Sequence, residues 1–365
     1  MSGAILLTGA TGFLGMDTLA RLLERGGQEQ VVALVRAEDR AGAQERLRAV
    51  LAQLYDQPPP GAQRVSAVRG DLLAPGLGLT AADRERLVAS VDRIVHCAAS
   101  ISFELPLARA RAINVDGTAR VLELAREIAA RGRLRRVVHV STAYVSGCHE
   151  GEFGERDLEL GQRFRNTYER SKHEAELLVR DASAADGLPL AVARPSIVVG
   201  HRGSGWTPAF NVLYWPMRAF ERGLLKEVPA RADSIVDIVP VDYVTDGILA
   251  LLDDERAHGA YNLVAGERAL SAGELVQLHA AACGREPVRL VGSGVELPAG
   301  AETFVPYFDV RCCFGDARAK RLLARAGVEK PDPRDYLAQL IAYARLARWG
   351  KRPVSRQASF VAASA

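Results

Sequence analysis

Apolar and polar positions follow two alternating rhythms over the first 200 residues. Short runs rich in β-branched residues at 4–8, 31–35, 64–68, 93–97, 136–140 and 190–194 read as strands. Between the first two, Leu14, Thr18 and Leu22, joined by Leu19 and Leu23, recur at helical spacing and form one apolar stripe. Near-continuous apolar strands separated by amphipathic helices predict a parallel sheet covered on both faces, an α/β fold of the Rossmann type, doubly wound. A helix expected over 40–54 is broken by Asp56-Gln-Pro-Pro-Pro-Gly61, which is a loop and not a domain boundary.

The rhythm assigns residues 1–200 to one nucleotide-binding domain. From His201 onward it changes, and Trp206, Phe210, Tyr214, Trp215 and Phe220 crowd a segment rich in glycine. Residues 201–235 and 266–345 are expected to form a smaller C-terminal, substrate-side domain. Residues 236–265 return to the main sheet as a helix (239–253) and a last strand (261–264). Phe210, Tyr214 and Met217 fall at helical spacing, which fits a buried helix face or the wall of an apolar lid or channel at a domain junction. The tail 350–365, GKRPVSRQASFVAASA, is small and polar without period and is expected to be disordered.

Composition narrows the class. With 48% hydrophobic and 25% charged residues, the 365-residue chain has the make-up of a soluble globular protein. Its 47 basic and 44 acidic residues nearly cancel, no segment carries a basic block, and nucleic-acid binding gains no support. Lysine occurs only at 172, 226, 320, 330 and 351, so Lys172 stands out in an arginine-rich chain. The five cysteines lack paired metal-ligand spacing, and their odd number does not suggest a disulfide framework. No basic leader precedes the first strand and no apolar run reaches membrane-spanning length, so a cytoplasmic protein without a membrane span is expected. His96, His139, His149 and His279 have no clustered partners in the sequence and read as structural or surface residues.

Candidate chemistry begins with Thr8-Gly-Ala-Thr-Gly-Phe-Leu-Gly15, between a strand and a helix. There Gly9, Gly12 and Gly15 let the backbone approach a pyrophosphate, with Thr11, Phe13 and Leu14 in the same turn, although a plain tight turn would use glycine too. The second strand ends on Arg36, with Arg46 on the following helix. Arginine there suits the 2′-phosphate of NADPH where an acidic residue would suit NADH, unless both arginines are merely solvated. Asp71 and Leu72 after the third strand suit an adenine contact. Ala98, Ala99 and Ser100 after the fourth are small where backbone must approach a cofactor. Tyr168-Glu-Arg-Ser-Lys172 puts a phenol and an ammonium on one helix face. The charge should favour the phenolate of a group that ordinarily ionises near ~10, making it a better acid toward a carbonyl oxygen as hydride arrives. Thr142, at the carboxyl end of the fifth strand, can hydrogen-bond the same oxygen.

These pieces, LLTGATGFLG, ALVRAED, GDL, VHCAASISFELPLARARAINVDGTARVLELA, VSTAYVSG, NTYERSKHEAE, ARPSIVVG and DIVPVDYVTDGI, cover roughly residues 4–250. On them the chain resembles the extended short-chain dehydrogenase/reductases. Within these it resembles the branch of fatty acyl-CoA reductases and terminal thioester reductase domains. The resemblance implies Thr142, Tyr168 and Lys172 as the catalytic set, Arg36 with Arg46 at the 2′-phosphate, and Asn114 as the residue orienting the active-site helix. It implies NADPH-dependent reduction of a small-molecule or carrier-bound acyl thioester, an acyl carrier protein being one candidate partner, to an aldehyde and onward to an alcohol. His173, where many thioester reductases carry tryptophan, departs from the pattern, and no stretch resembles an adenylation or carrier domain. The same catalytic set would serve a ketone or aldehyde reductase or a hydroxysteroid-like dehydrogenase. A sugar-nucleotide dehydratase is disfavoured by Ala143 and Tyr144 where acidic residues are usual. A silent dinucleotide-sensing regulator would typically have lost the tyrosine or the lysine.

Overall fold

A computed structural model describes residues 3–210, 213–292, 307 and 309–364. Seven strands, β1 (Ala4–Thr8), β2 (Gln30–Val35), β3 (Val65–Arg69), β4 (Val91–His96), β5 (Arg136–Val140), β6 (Leu190–Pro195) and β7 (Gly259–Leu263), form one sheet. Its order is β7-β6-β5-β4-β1-β2-β3 with every pair parallel. The order reverses between β1 and β4. That opens a crevice at the carboxyl ends of these strands, where ligands of doubly wound sheets bind.

The helices are, in chain order, α1 (Phe13–Glu24), α2 (Arg40–Leu54), α3 (Ala81–Ser90), α4 (Leu107–Asn114), α5 (Asp116–Ala130) and α6 (Thr167–Asp186). They continue as α7 (Tyr214–Glu221), α8 (Val241–Asp253), α9 (Ala272–Cys283), α10 (Ala317–Arg325), α11 (Pro333–Leu346) and α12 (Arg356–Ala363). The alternation of a strand's side chains divides the core in two. On β1, Ile5 and Leu7 join Leu19, Leu47 and Ile248 beneath α1, α2 and α8. Ala4 and Leu6 join Leu87, Leu124 and Val179 beneath α3, α5 and α6. Helix α6 runs beyond the expected 166–180 and ends at Gly187 in the left-handed conformation, φ +66°.

In a third cluster, Tyr214 and Met217 meet Leu337, Leu340 and Ile341. Helix α10 lies elsewhere: Ala319, Leu322 and Leu323 pack into the main core beneath α8, although the sequence groups 266–345 together. Residues 293–306 of that expected substrate side lie outside the described residues.

The tail corrects an expectation. Instead of disorder, α12 forms, capped by the Ser355 hydroxyl, which accepts from the Ala358 amide at 3.0 Å. Its buried Arg356 donates from Nε to Asp17 Oδ1 at 2.9 Å and also pairs with Glu24, both on α1. Burial raises the Asp17 carboxyl while Arg356 lowers it. A wholly buried carboxylate is costly unless paired, and this arginine pairs it from far along the chain.

Candidate active site

The glycine turn is built by close approach. Gly9 sits at φ +79°, and a Cβ there would lie 2.7 Å from the Ala98 amide nitrogen. A Cβ on Gly15 would lie 2.1 Å from the Gly9 carbonyl oxygen. Gly12 is the N-cap of α1 and supplies no side chain to its first amides, which leaves the helix amino end as an anion cradle. The floor of the turn is tied to β4. The Ala98 amide donates to Thr8 Oγ1 at 3.2 Å, Thr8 Oγ1 meets His96 Nδ1 at 2.7 Å, and His96 Nε2 meets Thr118 Oγ1 at 3.1 Å. Thr118 in turn donates to the Asn114 carbonyl at 2.6 Å. The chain is satisfied throughout if His96 is neutral with its proton on Nε2. Burial, helped by the charge of Lys172, pushes its pKa down to about 3. His96 is structural, as its sequence context implied.

Tyr168, Lys172 and Thr142 converge at the carboxyl end of β5. Thr142 is buried, accepts from the Tyr144 amide at 3.2 Å and donates to the Pro195 carbonyl at 3.3 Å, and its presence beside Tyr168 lowers the phenol's pKa. Lys172 donates from Nζ to the Val140 carbonyl at 2.7 Å. Burial lowers this lysine to about 8, with Glu176 pulling it back up. The expected depression of the phenol is not found: burial pushes Tyr168 up to about 12, with nearby Thr142 pulling it back. Desolvation disfavours a phenolate more than the lysine, bonded instead to a strand carbonyl, favours it. The phenol of Tyr168 is therefore neutral at neutral pH.

Asn114 bridges the loop after β4 to α6. Its Nδ2 donates to the Ser100 carbonyl at 3.1 Å and to Ser171 Oγ at 2.9 Å, and its Oδ1 accepts from the Ser100 amide at 2.8 Å. Ala98, Ala99 and Ser100 thus lie between the glycine turn and α6. At the far end of the crevice, Arg36 and Arg46 are brought together. Both are exposed, and Arg46 donates to the Arg36 carbonyl. A third arginine, Arg69 at the end of β3, joins them by donating to the Ala37 carbonyl at 3.3 Å. Asp71 Oδ1 accepts from the Leu73 amide at 3.0 Å. Leu72 points its side chain into the core against α5, so it can meet a nucleotide only with its main chain.

Several site residues escaped the sequence reading. Glu176, wholly buried one turn beyond Lys172, makes a bidentate pair with wholly buried Arg194 of β6, Nε at 3.0 and 3.1 Å and Nη2 at 2.6 Å. Tyr307 donates to Glu169 Oε1 at 2.8 Å and accepts from Asn166 Nδ2 at 2.8 Å. Its ring stacks on Phe103 at 5.3 Å, and Phe103 lies 5.8 Å from the ring of Tyr168. Phe103 belongs to the stretch after β4 that carries the family resemblance, so its aromatic type was the available signal; nothing local marked Tyr307. His173 lies 4.9 Å from the Phe164 ring with Nε2 3.2 Å from the Leu158 carbonyl.

Beyond Tyr307 an apolar cavity opens between α7 and α9, walled by Ile197, Met217, Phe220, Leu225, Leu275 and Val288 among others. Tyr214 is core, its hydroxyl accepting from the Gly200 amide at 2.9 Å, while Met217 and Phe220 line the cavity. Among the described residues no cluster of metal-ligating side chains occurs, and no helix is long and apolar enough to cross a membrane.

Residues 7–248 match the model of a family described as male sterility protein. Fatty acyl-CoA reductase 1 of Xenopus laevis is 30% identical over 282 residues, 67% of this chain and 53% of that protein. The chain thus spans about half the length of that reductase. A non-canonical nonribosomal peptide synthetase of Aspergillus campestris is 33% identical over 274 residues, 72% of this chain and 26% of that one. The terminal R domain from the myxalamid PKS-NRPS biosynthetic pathway superposes with a TM-score of 0.81 at 27% identity, covering 97% of this chain and 93% of that domain.

Proposed function

The chain belongs to the male sterility protein family, within the thioester and fatty acyl-CoA reductase branch of the extended short-chain dehydrogenase/reductases; from that membership we propose that it reduces an acyl thioester with NADPH. The product is the aldehyde, which the same residues can carry on to the alcohol. The observation that supports this most is a neutral phenol beside Thr142 at the carboxyl end of β5, with the rings of Phe103 and Tyr307 standing between it and an apolar cavity.

The cradle fits a dinucleotide: backbone space at Gly9 and Gly15 that a Cβ would fill, uncapped amides at the start of α1, and Arg36, Arg46 and Arg69 where a 2′-phosphate would lie. When bound, the dihydronicotinamide supplies a hydride. Tyr168 and Thr142 hydrogen-bond the substrate carbonyl oxygen. As charge develops there, Tyr168 gives up its proton to that oxygen, and the ammonium of Lys172 stabilises the phenolate left behind. The resulting hemithioacetal collapses: its hydroxyl proton returns to Tyr168, the carbonyl reforms, the C–S bond breaks and the thiolate takes up a proton as it leaves. The sum is one thioester, one NADPH and one proton giving one aldehyde, one thiol and NADP⁺. Coenzyme A and a carrier protein's pantetheine present the same thiol, so the chemistry serves either.

Thiol release and NADPH oxidation, followed together on acyl-CoA and acyl-pantetheine substrates, test the reading. One NADPH per thiol is expected for an aldehyde product, and two for an alcohol. Turnover of simple ketones or aldehydes, with no thiol released from any medium- or long-chain thioester, would replace it with the ketone and aldehyde reductase reading.

A further inference from the structure

A polar atom without a partner lines the apolar cavity. It belongs to His279, on α9, whose side chain is more than nine-tenths buried and whose ring lies 4.8 Å from that of Phe220. Among the described residues, its Nε2 has no hydrogen-bond partner. Burial lowers its pKa to about 4, with Glu221 raising it and Arg345 lowering it, and those two are engaged with each other. The imidazole is therefore neutral, and a neutral imidazole nitrogen either donates or accepts according to its tautomer.

A buried group of this kind destabilises the fold unless something answers it, and cores of this size ordinarily fill the position with an aliphatic side chain. The cavity adjoins the residues around Tyr168 and Thr142 at two places. Tyr307 lines it and stacks on Phe103 beside Tyr168. Ile197 lines it two residues beyond Pro195, whose carbonyl accepts from Thr142. An acyl chain whose thioester carbonyl sits at Tyr168 has this cavity as its apolar exit, and the chain would pass His279 there.

We propose that His279 selects acyl chains bearing a hydroxyl group at the position where the chain passes it, so that the enzyme's substrates are hydroxyacyl thioesters. The assignment rests on the thioester reading above. A hydroxyl answers either tautomer, because it can donate to a bare Nε2 or accept from Nε2–H. A plain alkyl chain leaves the nitrogen unanswered, and sites built to hydrogen-bond a substrate hydroxyl discriminate against analogues that lack it.

The test compares kcat/KM for decanoyl-CoA with its hydroxy derivatives substituted near the thioester, at mid-chain and at the chain end, each with the wild type, His279→Leu and His279→Gln. The wild type should prefer one hydroxy isomer over the plain chain by roughly tenfold. His279→Leu should lose that preference while still reducing decanoyl-CoA, and His279→Gln, which keeps a hydrogen-bonding group, should restore part of it. A wild type that prefers the plain chain to every isomer overturns the proposal, as does a preference unchanged in His279→Leu. Displacement of a fluorescent fatty-acid probe by the free hydroxy and plain acids reads the same ratio without turnover. If no thioester is reduced but the hydroxy acid still binds better and the preference vanishes in His279→Leu, the thioester reading fails and the His279 contact stands. Equal displacement by both acids means that the nitrogen is answered by water only, and the contact falls.

Discussion

Glu176→Gln tests how the fold sets the charge of Lys172. Glu176 and Arg194 are both wholly buried, with Nε at 3.0 and 3.1 Å and Nη2 at 2.6 Å, and Arg180 adds a contact at 3.3 Å. Burial opposes the Glu176 charge, yet Arg194 outweighs it and holds the carboxyl below its ordinary value. The amide keeps the shape and removes the charge, leaving the Arg194 guanidinium uncompensated, a loss of about 3–5 kcal/mol for a broken buried pair. An unfolding entropy of roughly 2.1 cal/mol/K per residue turns this into a fall in Tm of about 4–6 °C for a chain of 365 residues. The second consequence is electrostatic. Glu176 raises the pKa of Lys172, which burial has lowered to about 8. Removing the anion destabilises the ammonium, so the pKa falls further. In the wild type, kcat/KM should be flat below that value and fall as pH rises through about 8. In Glu176→Gln this alkaline limb should move to lower pH. Calorimetry and a pH profile of NADPH oxidation measure the two effects separately. An unchanged Tm together with an unchanged limb would refute both the structural role of the pair and its hold on Lys172.

Three further outcomes follow from the geometry. Arg36→Asp should weaken NADPH by roughly ten- to hundredfold, the value of about 1.5–3 kcal/mol for a charged hydrogen bond, while sparing NADH. Fluorescence titration checks this, and equal binding of the two cofactors by the unaltered protein would remove Arg36 from recognition. Tyr168→Phe should abolish turnover with cofactor affinity nearly intact, whereas Lys172→Ala should damage both; near-normal turnover of the phenylalanine variant would take the phenol out of the mechanism. Arg356→Leu leaves Asp17 buried without its cation and should release α12. Limited proteolysis would then remove the tail far faster than in the wild type, and equal resistance would mean that the ion pair does not hold the helix.

What the sequence determined by itself is what short-range rules encode. Strand and helix rhythms differ in period, so the alternation along residues 4–200 was enough for a covered parallel sheet. Gly9 and Gly15 announced a backbone approach because no other residue type fits there, and four-residue spacing on a helix was enough to align Tyr168 with Lys172. Tertiary structure decided whatever depends on burial or on partners far apart in the chain. The phenol of Tyr168 moved up and not down because burial penalises its charged form, which no spacing reveals. Tyr307 reaches Glu169 across 138 residues, and Arg356 reaches Asp17 across 339, so a tail that looked solvated became a docked helix. His279 reads in the sequence as a lone histidine on a helix. Only the packing around α7 and α9 places it in an apolar cavity, where an unanswered nitrogen has an energetic consequence.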